Sequence, residues 1–290
     1  MLATTALHHF DLRSVAVHAS QLPPAPQVFG RLLAAIHDGN SSLQNIAGLV
    51  QLDPSLVSQL LRVANSAIFA FRVPAGSVEE AVLRVGLKEV HRIVGLSAAS
   101  LIFRADLVVY GTTAWSLWEN AAVNALAMDL LAHRTFNEPS MAYTTGLLRS
   151  VGKMVLARHA FTVNGVVPYV DDGTVLSDWE RANFSVTHAE VGAALCDAWR
   201  FPPAIGAAIR DHLEPSANPE ATVLAYLLNA AGQIATNLGH GLPGEAPLWA
   251  GDPARFKKSD LRHEDLAGLT IEVADAFERM QEMLALIRRA

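Results

Sequence analysis

The chain carries 11 histidines and one cysteine, the side chains most often recruited for acid–base, nucleophilic or metal chemistry. Few of them stand at a spacing that chemistry would use. His8, His9, His18, His37, His91, His133, His159, His240 and His263 show no metal-ligand spacing, and the His8-His9 pair reads as solvated. Cys196 sits in the apolar pattern THAEVGAALCDAW and reads as a small buried hydrophobe rather than a nucleophile. A single cysteine also excludes an intramolecular disulfide. There is no G-x-S-x-G elbow, no G-x-x-x-x-G-K-[ST] loop, no H-E-x-x-H helix and no C-x-x-C pair. Gly152-Lys153 lies in no phosphate-binding loop, and Lys153 is expected at the surface or lining a helix. His188 falls just inside a helix start, and Asp211-His212 fall at a helix end, where a histidine favours the negative pole of the dipole.

The elements that would position these residues are helices. Ser41 or Ser42 caps one, and Asp53-Pro54 caps and starts the next. Leu56, Val57, Leu60, Leu61 and Ala64 then recur at helical spacing. Three S/T-x-x-E capping boxes open further helices, beginning at Ser77, Ser177 and Thr187; Gly86 closes the first of these helices. Pro202-Pro203 separates a helix ending near Trp199 from one running to about His212, and Asn218-Pro219 begins a long apolar helix to about Leu238. The stripe Ile271, Ala274, Phe277, Met280, Met283, Leu284 and Ile287 makes the C-terminal segment 270–289 an amphipathic helix. Residues 161–176 read as a loop or short hairpin, and 239–262, rich in Gly and Pro, as a long surface loop. Without sustained period-two alternation, the fold class is all-α, a multi-helix bundle.

Composition sets the limits. Of 290 residues, 51% are hydrophobic and only 17% charged, enough apolar material for a sizeable core. A net charge of −6 and the lack of any run of five or six like charges argue against binding to nucleic acid through phosphates. Mean hydropathy is +0.25, yet the apolar stretch RIVGLSAASLIFRADLVVYG is interrupted by Arg104 and Asp106 short of the ~20 residues that span a bilayer. The N-terminal MLATTALHHFDLRS lacks the cationic start and apolar centre of a signal peptide. A cytoplasmic protein without membrane attachment is expected.

An ordered set of motifs resembles the HDOD domain. Leu-Pro-x-x-Pro at 22–26 is followed by a helix and by Asp53-Pro54 at the start of the next. Then come a Leu-x-x-x-Asn65-Ser66 ending and a helix capped by Ser77 and closed by Gly86. Trp118, GLLRSVGK, THAEVGAALCDAW and IRDHLEP continue in order, so that the resemblance covers roughly residues 20–240. It implies an HD-like helical bundle with an N-terminal helical subdomain. On that reading residues 1–19 are an N-terminal extension, 20–105 the N-terminal subdomain and 106–240 the HD-like subdomain. Residues 241–290 are a loop and helix completing the bundle.

HDOD domains resemble the HD and HD-GYP phosphohydrolases, whose histidines and aspartates hold divalent metals that activate water. Carried over residue by residue, the family's first histidine falls on Asn120 and its His-Asp doublet on Arg149-Ser150. One histidine is kept as His188, the following histidine pair falls on Asp211-His212, and the final aspartate falls near Asn229. The Gly-Tyr-Pro signature is absent. A guanidinium where a dication would sit repels it and has no lone pair to offer. Arg149 is therefore expected to pair with Asp211 or Glu119, or to offer a cation to an anionic ligand. His188 is expected to be structural. Asn65 is expected to bond backbone at a helix end and hold the N-terminal subdomain against the C-terminal one.

The resemblance implies a bacterial signal-transduction module that acts through protein–protein contacts, without catalysis, metal or cofactor. No GGDEF-, EAL- or receiver-like segment accompanies it, so a stand-alone form is expected. The alternatives are a binding protein for a small anion such as a nucleotide, cyclic di-GMP included, with Arg149 and His212 as contacts, and a metal phosphohydrolase with rearranged ligands.

Overall fold

The computed structural model describes residues 9–20, 25–37, 41–66, 69, 73–135, 137–163, 165–249, 253–262 and 264–289, the side chains of 25–27, 37, 253–255 and 283–289 excepted. His8, His263 and residues 22–24 of the Leu-Pro-x-x-Pro motif lie outside them, as do the side chains of His37, Met283, Leu284 and Ile287. The helices are α1 (Val15–Ser20), α2 (Ala25–His37), α3 (Leu43–Gln51), α4 (Pro54–Ala64), α5 (Val78–Val85), α6 (Leu87–Ile102), α7 (Ala114–Arg134), α8 (Pro139–Leu148), α9 (Val151–Thr162), α10 (Leu176–Phe184), α11 (His188–Ala198), α12 (Pro203–Asp211), α13 (Val223–Asn237), α14 (Ala246–Trp249), α15 (Pro253–Ser259) and α16 (Asp265–Arg289). Among the described residues there is no strand, only an isolated bridge between Leu107 and Thr112. The fold is all-α, and residues 161–176 form a loop leading into α10.

The chain divides into two compact units. One comprises Met1–Leu22 and Phe103–Val273, the other Pro23–Ile102 and Ala274–Ala290. The segment 241–290, expected as one piece, is thus divided between them at Val273/Ala274.

In the smaller unit, capping residues set the helix starts. Ser42 accepts from the Asn45 N–H and Asp53 from the Ser55 N–H, with Pro54 in the first turn of α4. Ser77 accepts from the Glu80 N–H, while Glu80 reaches back to the Gly76 N–H. Gly86 ends α5 at φ +81°, a conformation that favours glycine. Asn65 closes α4 and spans the following turn: its side chain donates to the Ala75 carbonyl (3.2 Å) and accepts from the Ala75 N–H (2.5 Å). Both bonds remain inside this unit, so Asn65 ties the end of α4 to Ala75 rather than joining subdomains. Ser66 Oγ donates to the Val63 carbonyl.

The larger unit is built around α7, whose Leu117, Val123, Met128 and Leu131 are buried, with α8 and α13 packed on it. Helix α11 packs on α9 and α12. Thr187 and Glu190 form a complete capping box at the start of α11. The box expected at Ser177 does not form, because α10 begins at Leu176 and Glu180 is drawn into the core instead. The long apolar helix begins at Val223, four residues beyond Pro219. In α16 the buried stripe is Leu266, Leu269, Val273, Phe277 and Met280, whereas Ile271 faces outward. No helix among the described residues is long and apolar enough to cross a membrane.

Candidate functional site

The joint between α8 and α9 is made by Arg149 and Ser150, both buried. The glycines on either side explain the apolar frame around them. A Cβ at Gly146 would lie 2.5 Å from the Asn124 carbonyl oxygen, and one at Gly152 would strike the His188 carbonyl and lie 2.7 Å from the Gly192 nitrogen. Close approach of α8 to α7 and of α9 to α11 therefore requires glycine at both positions. The joint delivers Arg149 into the interior of the unit at 1% exposure.

There it meets a carboxylate from far along the chain. Arg149 Nη2 donates to Glu245 Oε2 (2.8 Å) and to Asn120 Oδ1 (2.5 Å). Lys153, one turn into α9, donates to Glu245 Oε1 (2.5 Å). Glu245 is fully buried and Lys153 is 1% exposed. The Arg149 guanidinium lies 5.2 Å from the Trp249 ring centroid, and the Lys153 ammonium 5.4 Å from that of Tyr110, so aromatic faces complete the cations' surroundings. Glu245 stands between α13 and α14 on a segment with several ties. Asn120 Nδ2 donates to the His240 carbonyl and Asn229 Nδ2 to the Leu248 carbonyl, and the Tyr169 ring packs on Gly244. Gly232 on α13 leaves room for the Trp249 ring.

A second chain of contacts holds the imidazoles. Glu180 accepts from the His188 backbone N–H (3.0 Å), from His188 Nδ1 (2.9 Å) and from the Tyr110 hydroxyl (2.8 Å). His188 Nε2 then faces Glu245 Oε1 at 4.0 Å. His212 Nδ1 lies 2.6 Å from the Ile209 carbonyl, which only accepts, so Nδ1 carries the hydrogen. Its ring stacks on Trp249 and meets His188 edge-on at 6.0 Å. Asn229 Nδ2 donates to the His212 carbonyl.

Burial dominates the electrostatics. Burial alone would raise the pKa of Glu245, but Arg149, then Lys153 and His188, hold it well below the usual carboxylate range. Burial lowers the pKa of Lys153, against the pull of Glu245 and with that of Arg149. His212 is pushed well below an ordinary histidine by burial first and then by Arg149 and His188, so it is neutral with a bare Nε2 lone pair. Tyr110 is raised well above its ordinary value by burial and by Glu180. Cys196 is buried and its thiol is pushed up by burial, which makes it unreactive.

The residues do not fit a resident divalent metal. His188 and His212 keep the Nδ1 anchoring that orients imidazole ligands. Glu180 is committed to His188 Nδ1 and Tyr110, Glu245 to two cations, and a dication placed beside Arg149 and Lys153 in a buried pocket meets strong repulsion. Ser150 and Asn120 offer only neutral oxygens, and that of Asn120 is taken by Arg149. Among the described residues no group of three His, Cys, Asp or Glu could hold a metal.

Several expectations are corrected by this geometry. Arg149 pairs with Glu245 and Asn120, not with Asp211 or Glu119. The carboxylate of Asp211 is bound by Arg210 and Asn218, and that of Glu119 lies 3.7 Å from His240. Lys153 is in the core, not at the surface, because Glu245 supplies its counter-charge there. The segment 239–262 contains α14 and α15 and buries Leu242, Glu245, Trp249, Ser259 and Leu261, so it is not a surface loop. Asn120, Arg149, Ser150, His188, His212 and Asn229 come together; Asp211 does not. Glu245, Glu180, Tyr110 and Trp249 were not anticipated. The only signal for Glu245 was an isolated acid between Leu242 and Trp249 in a stretch otherwise free of charge.

Solved structures and sequence relatives share the fold. The structure is similar to that of a "Putative phosphohydrolase" from Shewanella amazonensis (25% identity, TM-score 0.70, 97% of this chain and 99% of that one). It shares its fold with a "Putative signal transduction protein" from Marinobacter aquaeolei (20% identity, TM-score 0.70, 99% of this chain and 68% of that one). In sequence it is 28% identical over 211 residues to an uncharacterized protein of Treponema pallidum, covering 69% of this chain. The match spans 39%, about two-fifths, of that relative's length. The family model of the HDOD domain matches residues 22–215, two-thirds of the sequence, and the chain belongs to the HDOD family.

Proposed function

We propose that this HDOD protein is a non-catalytic regulatory module of bacterial signal transduction that works in the cytoplasm by docking protein partners. One observation carries the reading: where related enzymes keep a metal, this chain buries Arg149 and Lys153 around Glu245. Two fixed cations thereby occupy the pocket around one carboxylate, an arrangement that disfavours a dication as Lewis acid for water. Family membership and the name borne by the Marinobacter protein support a signalling role. Elemental analysis of protein purified without chelators, alongside a phosphodiesterase assay, tests the non-catalytic part. Near-stoichiometric Fe, Mn or Zn accompanied by turnover would overturn it. The docking part fails if affinity capture from the native cell recovers no partner that rebinds the purified protein.

A further inference from the structure

Glu245 satisfies only part of what surrounds it. Its carboxylate takes one bond from Lys153 Nζ and one from Arg149 Nη2, and Nη2 also serves Asn120. Arg149 Nε and Nη1 are buried and bond to no protein group. The same holds for Ser150 Oγ, His188 Nε2 and His212 Nε2. Such groups carry a desolvation cost unless something complements them. The set is mixed: cationic N–H donors, a hydroxyl, and an imidazole lone pair on neutral His212. A planar carboxylate, which only accepts, cannot complement an imidazole lone pair. A tetrahedral oxyanion that keeps one hydroxyl can: its bare oxygens accept from the guanidinium and ammonium, and its hydroxyl donates to Nε2.

We propose that Glu245 is an internal stand-in for an anionic ligand. It holds shut a site for a singly protonated phosphate group formed by Arg149 and Lys153, with Ser150 and His212 as further contacts. The ligand takes the place of the carboxylate when the segment 239–249 carries Glu245 out. Asn120 links the two events, since its Oδ1 holds Arg149 while its Nδ2 holds the segment through the His240 carbonyl. The site depends on the metal-free pocket proposed above and adds to it a ligand class and a gate.

The test uses full-length protein verified metal-free by elemental analysis, so a negative result counts against this inference alone. Inorganic phosphate and methyl phosphate are titrated into wild type, Glu245→Gln and Glu245→Ala by calorimetry. Either variant is expected to bind at least about tenfold tighter than wild type, because the competing carboxylate is gone. The gain is expected to vanish when Lys153→Met is added. Equal affinities in wild type and variants, no binding by either, or a gain that survives Lys153→Met overturns the proposal. A response to inorganic phosphate alone identifies the free ion as ligand, and a response to both identifies a phosphate monoester end group. If neither variant folds, hydrogen exchange on wild type decides. Saturating phosphate is expected to speed exchange of the 239–249 amides about tenfold, and unchanged exchange there overturns the proposal.

Discussion

Replacing Glu245 by Gln keeps the shape of the side chain and removes the carboxylate that Arg149 and Lys153 share. Two cations then remain buried without a counter-charge, a loss expected to cost about 3–5 kcal/mol, measurable as a lowered midpoint in urea unfolding. Acid acts on the same cluster in two stages. His212 has its folded pKa depressed, so the unfolded chain takes up the proton first, and stability falls as pH drops below about 6.5. Glu245 is also depressed; its contribution is present above about 4.3 and is lost as pH falls through its lower folded value. Stability is therefore expected to decline from near neutrality downward. His212→Asn, in which the amide replaces Nδ1–H, is expected to flatten the profile between about pH 6.5 and 5 while leaving the steeper loss below 4.3. Urea midpoints across pH for both proteins check this.

At the scale of helices, the glycines separate positions that need closeness from those that do not. Gly152→Ala places a methyl against the backbone of α11 and is expected to destabilise by at least about 2 kcal/mol. Gly268→Ala in α16 meets nothing within 4 Å and is expected to stabilise by roughly 0.5–1 kcal/mol through helix propensity. Thermal melts of the two variants, followed by circular dichroism, should move in opposite directions. The frame GLLRSVGK was legible only through the family resemblance, because Gly146 and Gly152 serve close approach to α7 and α11, which lie elsewhere along the chain. The misreading of Ser177-Asp-Trp-Glu180 as a capping box has a physical cause. A buried carboxylate held by Tyr110 and by the backbone and ring of His188 outweighs a single cap bond.

For the whole molecule, two buried cations sharing one carboxylate predict indifference to metal. Incubation with a chelator is expected to leave the melting midpoint unchanged to within about 1 °C, because the proposed metal-free pocket has no ion to contribute linkage stabilisation. A drop of several degrees would indicate a resident metal. The starts of α3, α4, α5, α11 and α12 and the family were readable from the residues, because caps and helix-starting prolines depend on near neighbours. The sequence by itself also determined that an arginine and a serine stand between Leu148 and Val151 in the frame GLLRSVGK. Only the tertiary structure decided what that guanidinium meets. Its partner lies 96 residues along the chain, in a Gly- and Pro-rich stretch with no local periodicity. The pairing of Glu245 with Arg149 and Lys153 follows from burial, which makes an unpaired charge untenable. Local spacing carries no record of which carboxylate the fold will bring there.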